Sequence, residues 1–471
     1  MKKTLILEIV AATPHTETGI ELALLESLNG SKVTYCPIYL YLSESFWNTP
    51  VNGNELNETS HNAWLIYTYA IIGKLVQVYT FTQNQLEPPN ILQQQERQYY
   101  DSLQIDEIVK RWPYPMSLTE NGDTSGMSIL AFYKNLKYSV LTSLHCTELL
   151  IQQIKPDEII IFNGRIPTAW PTYKLGKYYG IPVSFHERGS NNRKYVVLDE
   201  PVTDISGWQK LISPHIHRPF RSLRLGAGVY YRNRRLGISN TFGQFSKGET
   251  RNTDLKHPKI DSGEYAVFYT TSNYEIDQVP PLDNWYEVGK SQREIVMTLL
   301  ELCFSHDILL VIRVHPNERF YPSLMQPSFE QASDEKFFTD LNMDDRCLIV
   351  SSDSNICSYG LGEKAAFRFS IGSSISWELM YAGYPVAVLS KSLGSGFRGV
   401  IELKTVEDIV NYITNSTSEV DKTFPLAWAD FQTTYGEEFV YFESQDNNKL
   451  LILKQKQLED HIDNETFTKF K

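Results

Sequence analysis

Four side chains in the second half of the chain have the types and spacing to hold a phosphate: Arg313, His315, Ser373 and Ser374. Arg313 and His315 lie in ILLVIRVHPNERF and alternate with Ile312 and Val314, so on an extended strand both project to one face. Pro316 stops that strand, and Asn317 completes the RVHPN string. A guanidinium and an imidazole at a strand end suit a diphosphate or a nucleotide phosphate, through bidentate or charge-assisted hydrogen bonds. Ser373 and Ser374 follow Gly372 and precede ISWELMYAG, whose Ile375, Leu379 and Met380 recur at helical spacing. A helix starting there offers unpaired N–H groups and the positive end of its dipole, with two hydroxyls beside them. The plainer alternatives are a serine that only caps its helix, an arginine in a surface ion pair and a histidine satisfied in the core.

Three apolar runs, Ile308 to Val314, Cys347 to Val350 and Ala365 to Ile371, position these residues. Each ends abruptly in polar residues and alternates with segments of helical character, the rhythm of a parallel sheet with crossover helices. Ligands of such open sheets sit beyond the carboxyl ends of the strands, where all four side chains fall.

The strings RVHPN and IGSSISWELMYAGYPVAVL resemble the nucleotide-binding half of GT-B glycosyltransferases. The likeness is to bacterial capsular-polysaccharide and Kdo transferases and, more distantly, to bacterial sialyltransferases with His-Pro and Ser-Ser motifs. It spans Tyr265 to Leu389 and, more weakly, Asp157 to Gly189. It implies a sugar-nucleotide donor with His315 and the serine pair near its phosphate. It also implies that the turn of Thr270, Thr271 and Ser272 lies by the donor phosphates and that Glu378 contacts the ribose.

In the first half, Thr4 to Val10 reads as a strand, ATPHTETG as a loop and IELALLESL as a helix capped by Thr16 or Thr18. This is the opening of a Rossmann-like domain, with His15 and Glu17 above the sheet. In GT-B enzymes that loop faces the cleft, so the resemblance makes both residues acceptor-side candidates; Glu17 could equally just favour a helix amino terminus. DEIIIFNGR and IPVSFHERG are strands stopping at Asn163, Gly164 and Arg165 and at Glu187, Arg188 and Gly189, joined by a crossover helix that Gly180 ends. Glu187 is the first choice for a catalytic carboxylate, against a structural salt bridge to Arg188 or Arg165.

A chain of 471 residues exceeds what one core serves, and its 42% hydrophobic content is that of a globular protein. A net charge of -12 argues against general nucleic-acid binding, which rests on neutralising phosphates. Locally, Ser213 to Lys259 carries ten Lys and Arg against two acids, a basic surface for an anionic acceptor or an acidic bilayer. The five cysteines show no metal-ligand spacing and read as thiols of a reducing compartment. His215 and His217 have no acidic or cysteine partner nearby in sequence, so no metal is assigned to them. Glu8 interrupts the apolar start, which fits a first strand better than a signal peptide. Lys74 and Gln77 make Ala63 to Phe81 a buried helix rather than a membrane span.

These readings give an α/β protein of two Rossmann-like domains facing across a cleft. Residues 1–236 form the acceptor domain, 237–262 a linker and 263–422 the donor domain. Residues 423–471 form helices that partly cross back, including a peripheral helix after Asn447. The expected activity is cytoplasmic, at or near the inner face of the membrane, with no cofactor and no metal. It transfers Kdo or a related keto-sugar acid from a CMP-linked donor to a cell-envelope glycan or glycolipid. Glu187, Glu17 and His15 are the catalytic candidates, with Asn163, Arg165 and Arg188 on the acceptor side. A transferase using UDP- or GDP-sugars or CDP-glycerol is the first alternative, and a non-catalytic glycan-binding protein is the second.

Overall fold

The structure, a computed structural model, describes residues 1–10, 14–42, 72–86, 129–238, 257–271, 285–315, 345–415 except 353, 419–445 and 450–458 except 455, with a few isolated residues between them. Ser272, Pro316, Asn317 and most of the expected linker lie outside these.

The chain opens with β1 (Lys3–Glu8), α1 (His15–Leu28), β2 (Lys32–Pro37) and β3 (Gln77–Val78). Then come α2 (Ile129–Ile154), β4 (Glu158–Phe162), α3 (Trp170–Tyr179), β5 (Val183–Arg188) and β6 (Lys194–Leu198). Helices α4 (Ile205–Ile216) and α5 (Phe220–Arg235) follow. A second series contains β7 (Tyr265–Tyr269), α6 (Gln292–Ser305), β8 (Leu309–Arg313), β9 (Cys347–Val350), α7 (Ser358–Lys364) and β10 (Phe367–Ser370). It continues through α8 (Ser374–Ala382), β11 (Ala387–Val388), β12 (Ile401–Glu402), α9 (Val406–Asn415) and α10 (Thr423–Thr434). Strands β13 (Glu437–Glu438), β14 (Phe442–Gln445) and β15 (Leu450–Leu453) close the chain.

Two compact units result, Met1–Gly207 with Tyr435–Lys471, and Trp208–Thr434. The first has the strand order β13-β6-β5-β4-β1-β2-β3, parallel from β5 to β3, with β6 and β13 antiparallel at one edge. The second has the order β9-β8-β7-β10-β11-β12, parallel throughout. Each is doubly wound: the order reverses between β1 and β4 in the first unit and between β7 and β10 in the second. Both units are therefore Rossmann-like α/β folds.

Strands covered by helices on both faces need apolar side chains in both directions, and YAVFY in β7 and LLVIR in β8 are buried at every position. Phe268, Ile312 and Phe369 join Ile295 and Leu299 of α6 in the core of the second unit. In the first, Ile6, Ile20 and Tyr35 pack with Phe439, Tyr441 and Leu451 of the returning tail. Glu21 of α1 clasps that tail, accepting N–H groups from Val440 (2.6 Å) and Tyr441 (3.0 Å). The five cysteines are buried free thiols.

Several expectations change. The first unit ends at Gly207 rather than 236, because α4 and α5 pack within the second unit. There Gln209 donates to the Ser395 carbonyl at 2.7 Å, His215 Nδ1 lies 2.6 Å from Asp430 Oδ2, and the Tyr231 hydroxyl donates to the Pro425 carbonyl at 2.6 Å. The segment after Asn447 is not a helix at its start. Residues 450–453 form β15, paired antiparallel with β14, because Leu451 has a place in the core. Pro14, not a threonine, is the N-cap of α1; the Thr16 and Thr18 hydroxyls donate to the carbonyls of Val10 and Pro14. Within Ala63 to Phe81, the turn at 73–75 and β3 replace a continuous helix. Among the described residues no helix is long and apolar enough to cross a membrane.

Candidate active site

In the first unit, β1, β4 and β5 deliver polar groups to one end of the sheet, around the point where the strand order reverses. Asn163, just past β4, adopts φ 61°, a left-handed conformation that asparagine tolerates better than most residues. Its amide Nδ2 donates to Glu187 Oε2 at 2.5 Å, and its Oδ1 accepts the Arg165 N–H at 3.0 Å. The Arg188 N–H donates to Glu187 Oε1 at 2.9 Å. His15, the first residue of α1, puts Nδ1 3.7 Å from that same oxygen, and its ring packs 4.2 Å from Phe162. Arg188 itself turns to Asn192, donating from Nη1 at 3.0 Å.

Burial governs the charges here. It raises the Glu187 carboxyl above the ordinary range, against the opposing pull of the Arg188 N–H, Asn163 and the neighbouring guanidiniums. His15 is pulled down to about 3 by burial, with Arg188 adding to the effect. His186, fully buried on β5, is likewise lowered to about 3 by burial and then by His15. Near neutral pH this corner therefore holds uncharged imidazoles beside a carboxyl group that burial makes more basic. Glu17 is 1% exposed in the first turn of α1, and buried Glu8 is pushed well up by burial and by Glu17.

In the second unit the strand ends flanking the reversal are those of β7 and β10. Thr270 accepts the His315 N–H on Oγ1 at 2.8 Å, and the Thr271 N–H donates to Gln292 Oε1 at 2.8 Å. Across the reversal, Gly372 has φ 65°, and a Cβ there would lie 2.7 Å from that of Ser392. Only glycine fits this turn into α8. Ser373 is the N-cap of α8, yet its side chain makes no capping hydrogen bond. Its hydroxyl therefore does not cap the helix. Ser374 Oγ accepts from Arg234 Nη2 at 3.1 Å. His315 and the serine pair follow strands two positions apart, a spacing of about 10 Å.

The other named residues have partners inside the fold. Arg313, 6% exposed, donates from Nε to Ser358 Oγ at 3.0 Å and from Nη1 to the carbonyls of Ser351 and Val314 (3.3 Å), bracing the ends of β8 and β9. Glu378 accepts from Arg234 Nε at 3.0 Å and from the Tyr359 hydroxyl. Arg234 was not singled out by sequence; it belongs to the basic run of α5, and only its contacts distinguish it from Arg232 and Arg235. No group of three or more His, Cys, Asp or Glu able to hold a metal occurs among the described residues.

No family model matches this chain, and no curated protein matches it. Solved structures do. The beta-Kdo 2,4 transferase KpsC of Thermosulfurimonas dismutans is 11% identical over 58% of this chain and 79% of its own, with a TM-score of 0.38. The beta-Kdo 2,7 transferase KpsC of the same organism is 13% identical over 68% and 89%, with a TM-score of 0.34. UDP-GlcNAc 2-epimerase from Neisseria meningitidis, bound to UDP-GlcNAc, is 12% identical over 91% and 97%, with a TM-score of 0.27. All are remote likenesses, in sequence and in superposition.

Proposed function

We propose that this chain is a glycosyltransferase that moves a sugar from a nucleotide donor to a glycan or glycolipid acceptor, with the donor in the second unit and the acceptor in the first. One observation carries the reading. In both units the groups able to do chemistry stand at the carboxyl ends of strands at the reversal of strand order or one strand beyond it, with Asn163 after β4, Glu187 on β5, Ser373 after β10 and His315 after β8, the end of the sheet where doubly wound folds bind ligands.

In the second unit, the Ser373 and Ser374 hydroxyls and the start of α8 are disposed for a donor phosphate, with Thr271 and His315 across the reversal. Such donors stabilise the charge that grows on the phosphate oxygen as its bond to the anomeric carbon breaks. In the first unit, Glu187 is the reacting carboxylate. With inversion, it takes the proton of the acceptor hydroxyl whose oxygen bonds to the anomeric carbon. With retention, it attacks that carbon first and the acceptor then displaces it. Asn163 and the Arg188 N–H fix the carboxylate, and neutral His15 is placed to hydrogen-bond the incoming hydroxyl. The donor is a CMP-linked keto-sugar acid such as Kdo, on the resemblance of RVHPN and IGSSISWELMYAG to transferases of that class. A glycolipid acceptor would be met at a membrane surface, for which α5 offers Leu225 (85% exposed) and Val229 beside Arg224 and Arg232.

A thermal-shift panel of CMP, UDP and GDP, followed by transfer assays on the wild type and Glu187→Gln, tests this. Stabilisation by CMP and transfer lost in the variant are expected. Stabilisation by UDP alone would move the donor to the UDP-sugars. Binding without transfer or donor hydrolysis would leave a glycan-binding protein.

A further inference from the structure

Arg234 and Glu378 form an ion pair at 3.0 Å in which the glutamate side chain is only 3% exposed and the arginine side chain 20%. The partners lie 144 residues apart, on α5 and α8. Tyr359 of α7 supplies a second donor to the same carboxylate, so both of its oxygens are engaged. Burying such a pair gives little net stability, since desolvation offsets most of the attraction. The arrangement therefore calls for a purpose other than holding α5 in place, which other contacts already do. Three residues before Arg234, Tyr231 stacks on Tyr381 with ring centroids 4.3 Å apart and donates to the Pro425 carbonyl.

The guanidinium is aimed at Ser374. Because Ser374 Oγ accepts from Arg234 Nη2, its own proton is directed to another acceptor, away from the arginine. Five N–H bonds project from a guanidinium in a fixed fork, and the pair and the serine use two of them. Glu378 holds the always-charged arginine in one orientation, and their direct attraction raises its pKa further. A fixed, permanently charged fork beside a polarised serine hydroxyl matches a phosphate oxygen better than a sugar hydroxyl.

We propose that Arg234 is the residue that binds the donor's phosphate, and that Glu378 is a positioning residue for Arg234 rather than a ligand of the ribose. The inference rests on the glycosyltransferase reading and assigns two roles within its donor site. On this assignment the nucleoside is held without help from Glu378, and the charge of the leaving phosphate is met by Arg234 together with Ser373 and Ser374.

The test is calorimetric titration of CMP and of cytidine, its phosphate-free counterpart, into the wild type, Arg234→Lys, Glu378→Gln and the double variant Arg234→Gln/Glu378→Gln. The double variant removes both charges, so no unpaired buried charge is left to unfold the chain. CMP affinity is expected to fall about 10- to 100-fold in Glu378→Gln and in the double variant, the loss of one charged hydrogen bond. Cytidine affinity stays within about twofold, a difference too small to count as one lost hydrogen bond. Arg234→Lys keeps the charge but not the fork and falls between. An equal loss for CMP and cytidine in Glu378→Gln would mean a ribose contact and overturn the assignment. Unchanged CMP binding in the double variant would reduce the pair to a structural brace. A wild type that binds none of CMP, UDP or GDP would remove the transferase reading itself.

Discussion

Asn163 Nδ2 lies 2.5 Å from Glu187 Oε2, so a residue in a left-handed turn after one strand fixes the carboxylate at the end of the next. The two segments pair in parallel register, with Phe162 opposite His186, and this brings the ends of β4 and β5 level. If Glu187 is the reacting group, Glu187→Gln loses about 100- to 10,000-fold in kcat, the range of a removed acid or base, with donor KM little changed. Asn163→Ala, which leaves the carboxylate present but loose, loses less. Steady-state transfer rates check both.

The buried histidines make the fold acid-sensitive. His15 and His186 titrate near 3 in the folded chain, well below the ordinary 6.5. Between those pH values the unfolded chain binds more protons at these two sites, so their contribution to stability is complete above about 6.5 and falls as pH drops toward 3, opposite in sign to buried Glu8, Glu21 and Glu187, whose raised carboxyls favour the folded chain as pH falls. The two histidines should therefore add a decline in melting temperature through that window, read as the difference between the wild type and a variant lacking one of them. His186→Gln should flatten the decline by removing one of the two titrations, and an unchanged slope would show that His186 is not the buried neutral group described.

Two serines at helix starts should behave differently. Ser291 caps α6, accepting the Glu294 N–H at 3.2 Å while Glu294 Oε2 accepts the Lys290 N–H at 2.8 Å. Ser291→Ala is expected to cost about 1 kcal/mol of stability and leave nucleotide affinity alone. Ser373 makes no such cap, so Ser373→Ala should leave the denaturation midpoint in place and weaken nucleotide binding several-fold. The reverse pattern would return Ser373 to a structural role.

Gly372→Ala sets a Cβ 2.7 Å from that of Ser392 in a left-handed turn. The backbone strain alone costs about 1–3 kcal/mol. Urea unfolding should register this loss, and nucleotide affinity should drop with it, because the turn aims the serine pair.

Much of this was legible in the sequence. Parallel strands buried on both faces leave unbroken apolar runs such as LLVIR and CLIV, and their polar endings mark the ligand side of the sheet. Those endings are why His15, Asn163, Glu187, His315 and Ser373 stand out in the sequence as residues at or just past element ends, which is where the structure has them. Arg234 does not, because its contact with Ser374 joins residues 140 apart and leaves no local pattern. The internal bracing by Arg313 was hidden for the same reason: a strand's periodicity tells which face a side chain leaves from, not which carbonyls it meets. The short run LLIL fits a helix or a strand equally well, and the place of Leu451 beside Tyr441 and Phe442 decided it.

If α5 meets a membrane, the wild type should sediment with vesicles rich in anionic lipid and not with neutral ones. The interaction should weaken in high salt. Leu225 and Val229 are exposed, so Leu225→Glu/Val229→Glu should abolish sedimentation without lowering the melting temperature. Equal sedimentation of the variant would dismiss this face.

The most direct measurement is a crystal structure of the chain soaked with CMP. The account predicts the phosphate within hydrogen-bonding distance of Ser373 and Ser374, at the reversal between β7 and β10. A nucleotide bound anywhere else, or serine hydroxyls left untouched by a bound nucleotide, would contradict it.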